Sequence, residues 1–296
     1  MFGKWSILAA VALAACAPVQ QETTTVAKTF ESITTACGER DGWSDPAPPA
    51  HVFGNTYMVG TCGITALLIT TPEGHFLIDG ATNEAAEGIA ENIRKLGFKP
   101  EDVKLLLITH EHLDHAGGIS QLKQITQSKF AARQPALAAM ASGLPDPSDP
   151  QHGLHPAFPG VQADFLIGDG DTLRSGNQVV TVIATPGHSP GGTSYIWKSC
   201  EKTECRTIVY ADSLNAVSAD AYRFSDHPDY VATLRRSMAR IEAIKDCDIM
   251  ISPHPFQSDF FERLAGEMPL IDQSRCKQYV TAAKLRLDTR LAKEAE

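Results

Sequence analysis

Short apolar runs alternate with longer amphipathic stretches along most of this chain. Thr65 to Thr70, Phe76 to Ile78, Val103 to Thr109, Val179 to Ala184, Ser194 to Lys198, Thr207 to Tyr210 and Asp248 to Ile251 have the length and apolar density of buried strands. Asn83 to Leu96 opens on a capping-type Asn and reaches Gly97, a natural stop, and Pro228 to Lys245 and Asp272 to Lys293 also read as helices. Strands interleaved with helices predict an α/β protein built in layers, with helices covering the faces of sheets.

The N-terminus departs from this pattern. Lys4 supplies one positive charge, an apolar run follows, and Leu13-Ala-Ala-Cys16 closes it. The run is too short to span a bilayer and reads as a secretory signal. Its last four residues resemble the lipobox of bacterial lipoproteins, whose cysteine is lipidated and becomes the mature N-terminus. Residues 1–16 are therefore expected to be a signal peptide with Cys16 as the lipidation site, 17–36 a polar, Thr-rich tether, and 37–296 the folded domain. The alternative is ordinary cleavage nearby, releasing a soluble periplasmic protein. Ala17 fits outer-membrane sorting by analogy with the lipoproteins, so the membrane is expected as a partner only through this anchor.

About 280 residues remain after the signal, enough for one large core or two fused halves. The formal charge of -9 comes without a Lys/Arg cluster, which disfavours nucleic acid as a partner. Besides Cys16 there are six cysteines, Cys37, Cys62, Cys200, Cys205, Cys247 and Cys276. An even count in an exported chain suggests disulfides, with 15 possible connectivities. Cys200 and Cys205 bracket Glu-Lys-Thr-Glu between two strand-like runs, so a bridge there would clamp a hairpin.

The chemistry concentrates in His110-Glu111-His112-Leu113-Asp114-His115, directly after a strand-like run and shortly before Gly117-Gly118. Imidazole and carboxylate suit zinc, which lowers the pKa of bound water from about 15.7 to roughly 7. Side chains alternate on an extended stretch, so His110 and His112 can meet one ion, while Asp114 and His115, where the chain turns, can address a second. A helical H-E-x-x-H site, with Glu111 as base, is an alternative that needs a second His at i+4 from His110, where Asp114 stands. Glu111 reads as an outward or second-shell residue.

Two histidines held between Pro and Gly in rigid turns can supply the missing ligands: His188 in Thr185-Pro-Gly-His-Ser-Pro-Gly-Gly and His254 in Ser252-Pro-His-Pro. His51, His75, His152, His155 and His227 have no motif around them, although His152 and His155 lie in a Pro-rich loop able to overhang a site. Asp79 reads as a structural or second-shell carboxylate.

The H-x-H-x-D-H signature, T-P-G-H-S-P-G-G and S-P-H-P together resemble a subclass B3 metallo-β-lactamase of the metallo-β-lactamase superfamily. Asn55-Thr-Tyr-Met-Val-Gly, the stretch from Leu67 to Gly80 and Tyr210-Ala-Asp-Ser-Leu extend the similarity over roughly residues 40 to 280. The resemblance implies a four-layer αββα sandwich with the metals at one sheet edge. It implies one zinc held by His110, His112 and His188 and a second by Asp114, His115 and His254, and hydrolysis of penicillins, cephalosporins and carbapenems without a covalent acyl-enzyme. Asp114 would also orient the nucleophile. Ser213 matches a position that meets a zinc-bound water or the substrate carboxylate, Asn215 stands where some members carry a second serine, and Gln151 resembles a substrate-contacting glutamine. By proximity and by similarity to three-disulfide members, Cys37 is expected to pair with Cys62 and Cys247 with Cys276. A monomer acting on a small β-lactam is the expected form.

Asp212 keeps a second reading open. Glyoxalase II, lactonases and other hydrolases of the superfamily use an aspartate near this position to bridge both metals, which would favour a thioester or lactone substrate. A lipid-anchored zinc-binding protein without turnover is the non-enzymatic alternative.

Overall fold

The strands at the centre of the molecule are apolar on both faces because each of the two sheets is covered on both sides. The structure is a computed structural model and describes residues 32–296; the signal segment, Cys16 and the tether up to residue 31 lie outside the described residues. The first sheet holds β1 (Ala50–Phe53), β2 (Thr56–Met58), β3 (Leu67–Ile69), β4 (His75–Ile78), β5 (Val103–Leu107), β6 (Lys129–Ala132) and β7 (Phe165–Leu166), in spatial order of sequence. It is antiparallel as far as β4 and parallel from β4 to β7. The second holds β8 (Thr172–Ser175), β9 (Gln178–Ala184), β10 (Thr193–Glu201), β11 (Glu204–Tyr210) and β12 (Ile249–Ile251). Its order runs β12-β11-β10-β9-β8, antiparallel except for the pair β11 and β12.

Alternation along each strand builds the layers. In β3, Leu67 and Ile69 enter the core between the sheets, where they join Trp197 and Ile208, while Leu68 joins the cluster that holds Ile89 and Ile93 of α2 (Ala86–Lys95). In β11, Ile208 and Tyr210 face inward, and Val209 packs with Leu234 and Met238 from the long helix Pro228–Glu242 and with Val280 and Ala283 from Arg275–Glu294. The result is helix, sheet, sheet, helix.

The remaining helices are α1 (Ile33–Cys37), α3 (Leu113–Ala116), α4 (Ile119–Thr126), α5 (Leu137–Ser142), α6 (Pro228–Glu242), α7 (Phe260–Leu264) and α8 (Arg275–Glu294). Two sequence expectations shift. Residues 33–36, assigned to the tether, belong to α1, which buries Ile33 in the intersheet core. Asn83 does not cap α2: a 3-10 turn, Asn83–Ala85, precedes the helix with Thr82 at its N-cap, and neither end gains a side-chain cap bond. Gly97 does end it, at φ +91°, a conformation that suits glycine.

Three disulfides are formed, Cys37–Cys62, Cys200–Cys205 and Cys247–Cys276. Among the described residues no helix is long and apolar enough to cross a membrane. The loops after β4, β5, β9, β11 and β12 gather at one edge of the sandwich, where Thr193 N donates to Thr109 O at 2.7 Å from one sheet to the other. That edge receives every sequence-predicted ligand.

Candidate metal centre

His110 and His112 lie on the loop that follows β5, His112 in extended backbone, and Asp114 and His115 lie in the short helix α3 that comes next. His188 arrives from the β9–β10 turn and His254 from the turn after β12. The rings of His110, His112 and His188 form a nearly equilateral triangle, with centroids 4.8, 4.8 and 5.0 Å apart. One ligand atom from each lies within 4.8 Å of the other two.

Beside this triangle the second group is tighter. His115 Nε2 and Asp114 Oδ2 are 3.2 Å apart, His254 Nε2 and Asp114 Oδ2 3.4 Å, and the two Nε2 atoms 3.3 Å. Metal bonds of about 2.0–2.1 Å in a tetrahedral arrangement separate neighbouring ligand atoms by roughly 3.3–3.4 Å, so these three atoms have the spacing of one coordination face. His110 also reaches Asp114 and His115 within 4.8 Å, which makes the two groups adjacent. Its Nε2 is buried without a hydrogen-bond partner, a costly state for a polar atom and the expected one for a ligand. The donor set fits a metal such as zinc.

Behind each imidazole stands an acceptor that fixes which nitrogen is free. His110 Nδ1 donates to Asp212 Oδ1 at 2.9 Å, His112 Nε2 to Asp149 Oδ2 at 2.9 Å, and His188 Nδ1 to Asn215 O at 2.8 Å. His115 Nδ1 faces Asp79 Oδ2 at 3.5 Å, and His254 bonds to the backbone of Gly63. His112 must therefore ligate through Nδ1, the others through Nε2. Asp79 sits at φ +68°, a strained position for a non-glycine residue. Thr109 N at 2.6 Å, Thr109 Oγ1 at 2.8 Å and Tyr210 Oη at 2.7 Å all donate to its carboxylate and hold it there.

The ligands sort by charge. Burial opposes ionisation of Asp114, yet His115, His254 and His112 hold its carboxyl well below the usual range. Burial also opposes protonation of His115, but Asp114 and Asp79 push it up to about 10. Burial and the neighbouring His112 push His188 down to about 3, and burial and His115 push His254 down to about 4. To hold a metal, His115 would have to give up its proton.

Glu111 corrects one sequence alternative. It does not point outward: it is fully buried and accepts from Ser189 Oγ at 2.8 Å and Gly191 N at 2.8 Å, tying the His188 turn to the His110–His115 segment. Ser213 and Asn215 are buried beside the centre, and Ser213 Oγ and Asn215 Oδ1 have no hydrogen-bond partner. Gln151 Nε2 lies 3.3 Å from His188 Nε2, over its free nitrogen. The five motif-free histidines stay outside the cluster: His51 bonds Gly54 O, His152 bonds Pro145 O, His75 and His155 pack edgewise on Phe98 and Trp43, and His227 stacks on Tyr222. Sequence reasoning missed Asp149 and assigned Asp212 only as a bridge; in the fold Asp212 lies behind His110.

Residues 59–200 match the family model of the metallo-β-lactamase superfamily. The chain is similar to the solved metallo-β-lactamase MIM-1 from Novosphingobium pentaromativorans, at 47% identity and TM-score 0.86, covering 89% of this chain and 98% of that one. It is similar to MEM-A1, a subclass B3 metallo-β-lactamase from a soil metagenome library, at 43% identity and TM-score 0.82, covering 86% and 99%. A curated relative, the N-acyl homoserine lactonase AttM of Agrobacterium fabrum, is 31% identical over 44% of this chain, and the chain spans 57% of that lactonase. The paired triads, the αββα layers and these likenesses agree: the chain belongs to the metallo-β-lactamase superfamily, and within it is similar to the subclass B3 enzymes.

Proposed function

We propose that this protein hydrolyses the amide bond of β-lactams with two zinc ions, one held by His110, His112 and His188 and the other by Asp114, His115 and His254. The observation that carries the reading is the complete six-residue set, split into two adjacent groups, with Asp212 hydrogen-bonded to His110 Nδ1. Bound zinc supplies Lewis acidity, which polarises the carbonyl and acidifies water from a pKa of about 15.7 to roughly 7. Asp114, held ionised, orients the attacking water through its carboxylate. Ser213 Oγ makes no hydrogen bond to a base, so it lacks the contact that activates a serine nucleophile, which supports hydrolysis without an acyl-enzyme. It is free instead to donate to the substrate carboxylate, as is the side-chain amide of Asn215. Gln151 covers the three-His group and yields its contact with His188 Nε2 when a metal takes that atom.

The likeness to AttM supports a second reading, hydrolysis of a lactone, in which the unpartnered Oδ2 of Asp212 turns to a metal. Purified, zinc-loaded protein tested on a carbapenem, an acyl homoserine lactone and a thioester separates them. Carbapenem turnover that stops on chelation is expected. Turnover of only the lactone or thioester would overturn the β-lactamase reading, and turnover of none would favour metal binding alone. Export, with an outer-membrane anchor at Cys16, is part of the same proposal; palmitate labelling that is equally negligible in wild type and Cys16→Ala would end the anchor.

A further inference from the structure

The segment between β11 and α6, residues 211–227, touches the metal centre repeatedly. Its first residues hold His110 through Asp212 and His188 through Asn215 O. Farther along, Ala219 N donates to Pro150 O at 2.8 Å, between Asp149, the acceptor of His112, and Gln151. Val217, 44% exposed, lies on the same limb. The near half of the segment is fixed by metal-ligand contacts. Besides Ala219 and the limb's internal turns, what holds residues 218–225 lies on α8.

At the last turn of α8, Arg290 sends one guanidinium nitrogen to Ser218 Oγ at 2.8 Å and to Tyr222 O at 3.1 Å, with its charge 5.5 Å above the Phe224 ring. Glu294 accepts from Ser225 N at 2.7 Å, Phe224 N at 3.2 Å and Arg290 Nε, and its own carbonyl accepts from Arg223. Two residues one helical turn apart thus make six contacts with five residues of the limb, Ser218, Tyr222, Arg223, Phe224 and Ser225. Apart from the Phe224 ring, the groups these contacts satisfy are the limb's own polar atoms.

We propose that Arg290 and Glu294 are positioning residues for substrate: a clasp on α8 that sets where the 217–226 limb, and through Ala219 the 143–158 loop, stand over the metal centre. The metal ligands keep their own anchors, so loosening the clasp weakens binding of the substrate's outlying groups and leaves the reacting centre intact. Loss of such uniform binding raises KM at unchanged kcat.

The test uses the full, zinc-loaded protein carrying Arg290→Ala or, where that variant does not fold, Glu294→Gln. Amide hydrogen exchange is expected to quicken about fivefold or more in peptides covering 217–226, and to spread to 143–158, while 103–115 stays unchanged. Zinc content is expected to match wild type, and KM to rise about tenfold with kcat within twofold. The kinetic arm rests on the hydrolase reading and is taken on whichever of carbapenem, lactone or thioester the wild type turns over; the exchange arm needs no substrate. Unchanged exchange in 217–226, or a fall in zinc content and kcat at constant KM, would overturn the clasp.

Discussion

Asp149 Oδ2 accepts a hydrogen bond from His112 Nε2 at 2.9 Å, across 37 residues of sequence. The carboxylate fixes the tautomer that leaves Nδ1 free and raises the basicity of the ring, while its other oxygen accepts from Gln151 N at 2.7 Å. Asp149→Asn keeps the shape and loses the charge. Zinc affinity at the three-His group is expected to fall roughly 10- to 100-fold, with the second group little changed. Titration against a competing chelator measures both sites, and equal loss at the two would count against the assignment.

His254 serves one group only. His254→Ala is expected to reduce bound zinc from two ions per chain to one and to remove most of the turnover, since Asp114 and His115 then lack their third partner. Elemental analysis of the dialysed variant reads the stoichiometry directly; two retained ions would contradict the division of ligands.

Glu111 is a carboxyl that burial pushes up toward neutrality, and it joins two loops through Ser189 Oγ and Gly191 N. Glu111→Ala strands both donors in the interior, at a cost of about 2–3 kcal/mol. It also frees the turn that carries His188. Lower stability to urea together with weaker zinc retention is expected, and Glu111→Gln should recover part of each.

Glu294 gives a pH dependence whose sign follows from its contacts. Burial works against its charge, but Ser225 N, Arg290 and Phe224 N hold its carboxyl down to about 2, below the ordinary 4.5. The stability this contributes is complete above about pH 4.5 and is lost as the pH falls toward 2. Solvent screening leaves about 1 kcal/mol of it. Urea unfolding of wild type and Glu294→Gln at pH 7 and pH 2.5 is expected to show the full difference at the first and about a quarter of it at the second.

The dense ligand segment and the two His turns were legible because metal chemistry, Pro and Gly leave strong local signals. Strands such as Val103–Leu107 and Gln178–Ala184 were legible because the positions they bury make them dense in Leu, Val and Ile, with only Lys104, Gln178 and Thr181 interrupting. Lys129–Ala132 was not, since two alanines carry little strand signal, and neither was Thr172–Ser175, an edge strand with exposed alternate residues. Helix Ile119–Thr126 escaped because Gly117-Gly118 reads as a break, whereas Gly118 caps it. The acceptors behind the imidazoles were illegible for another reason. Asp149, Asp212 and the carbonyl of Asn215 reach their histidines only through the fold, and nothing in Asp-Pro-Gln or Ala-Asp-Ser marks a hydrogen bond to a distant ring.

Each proposed zinc takes two ligands from the loop after β5, on the first sheet, and one from a loop of the second. The disulfides do not repeat that geometry: Cys200–Cys205 joins β10 to β11, Cys247–Cys276 lies in the helix-covered face of the same sheet, and Cys37–Cys62 ties α1 to the loop after β2 within the intersheet core. None of the three disulfides therefore spans the edge where the ligands meet, and beside the hydrogen bonds there the proposed zinc ions would add a tie between the two leaves that a chelator can undo and a reductant cannot.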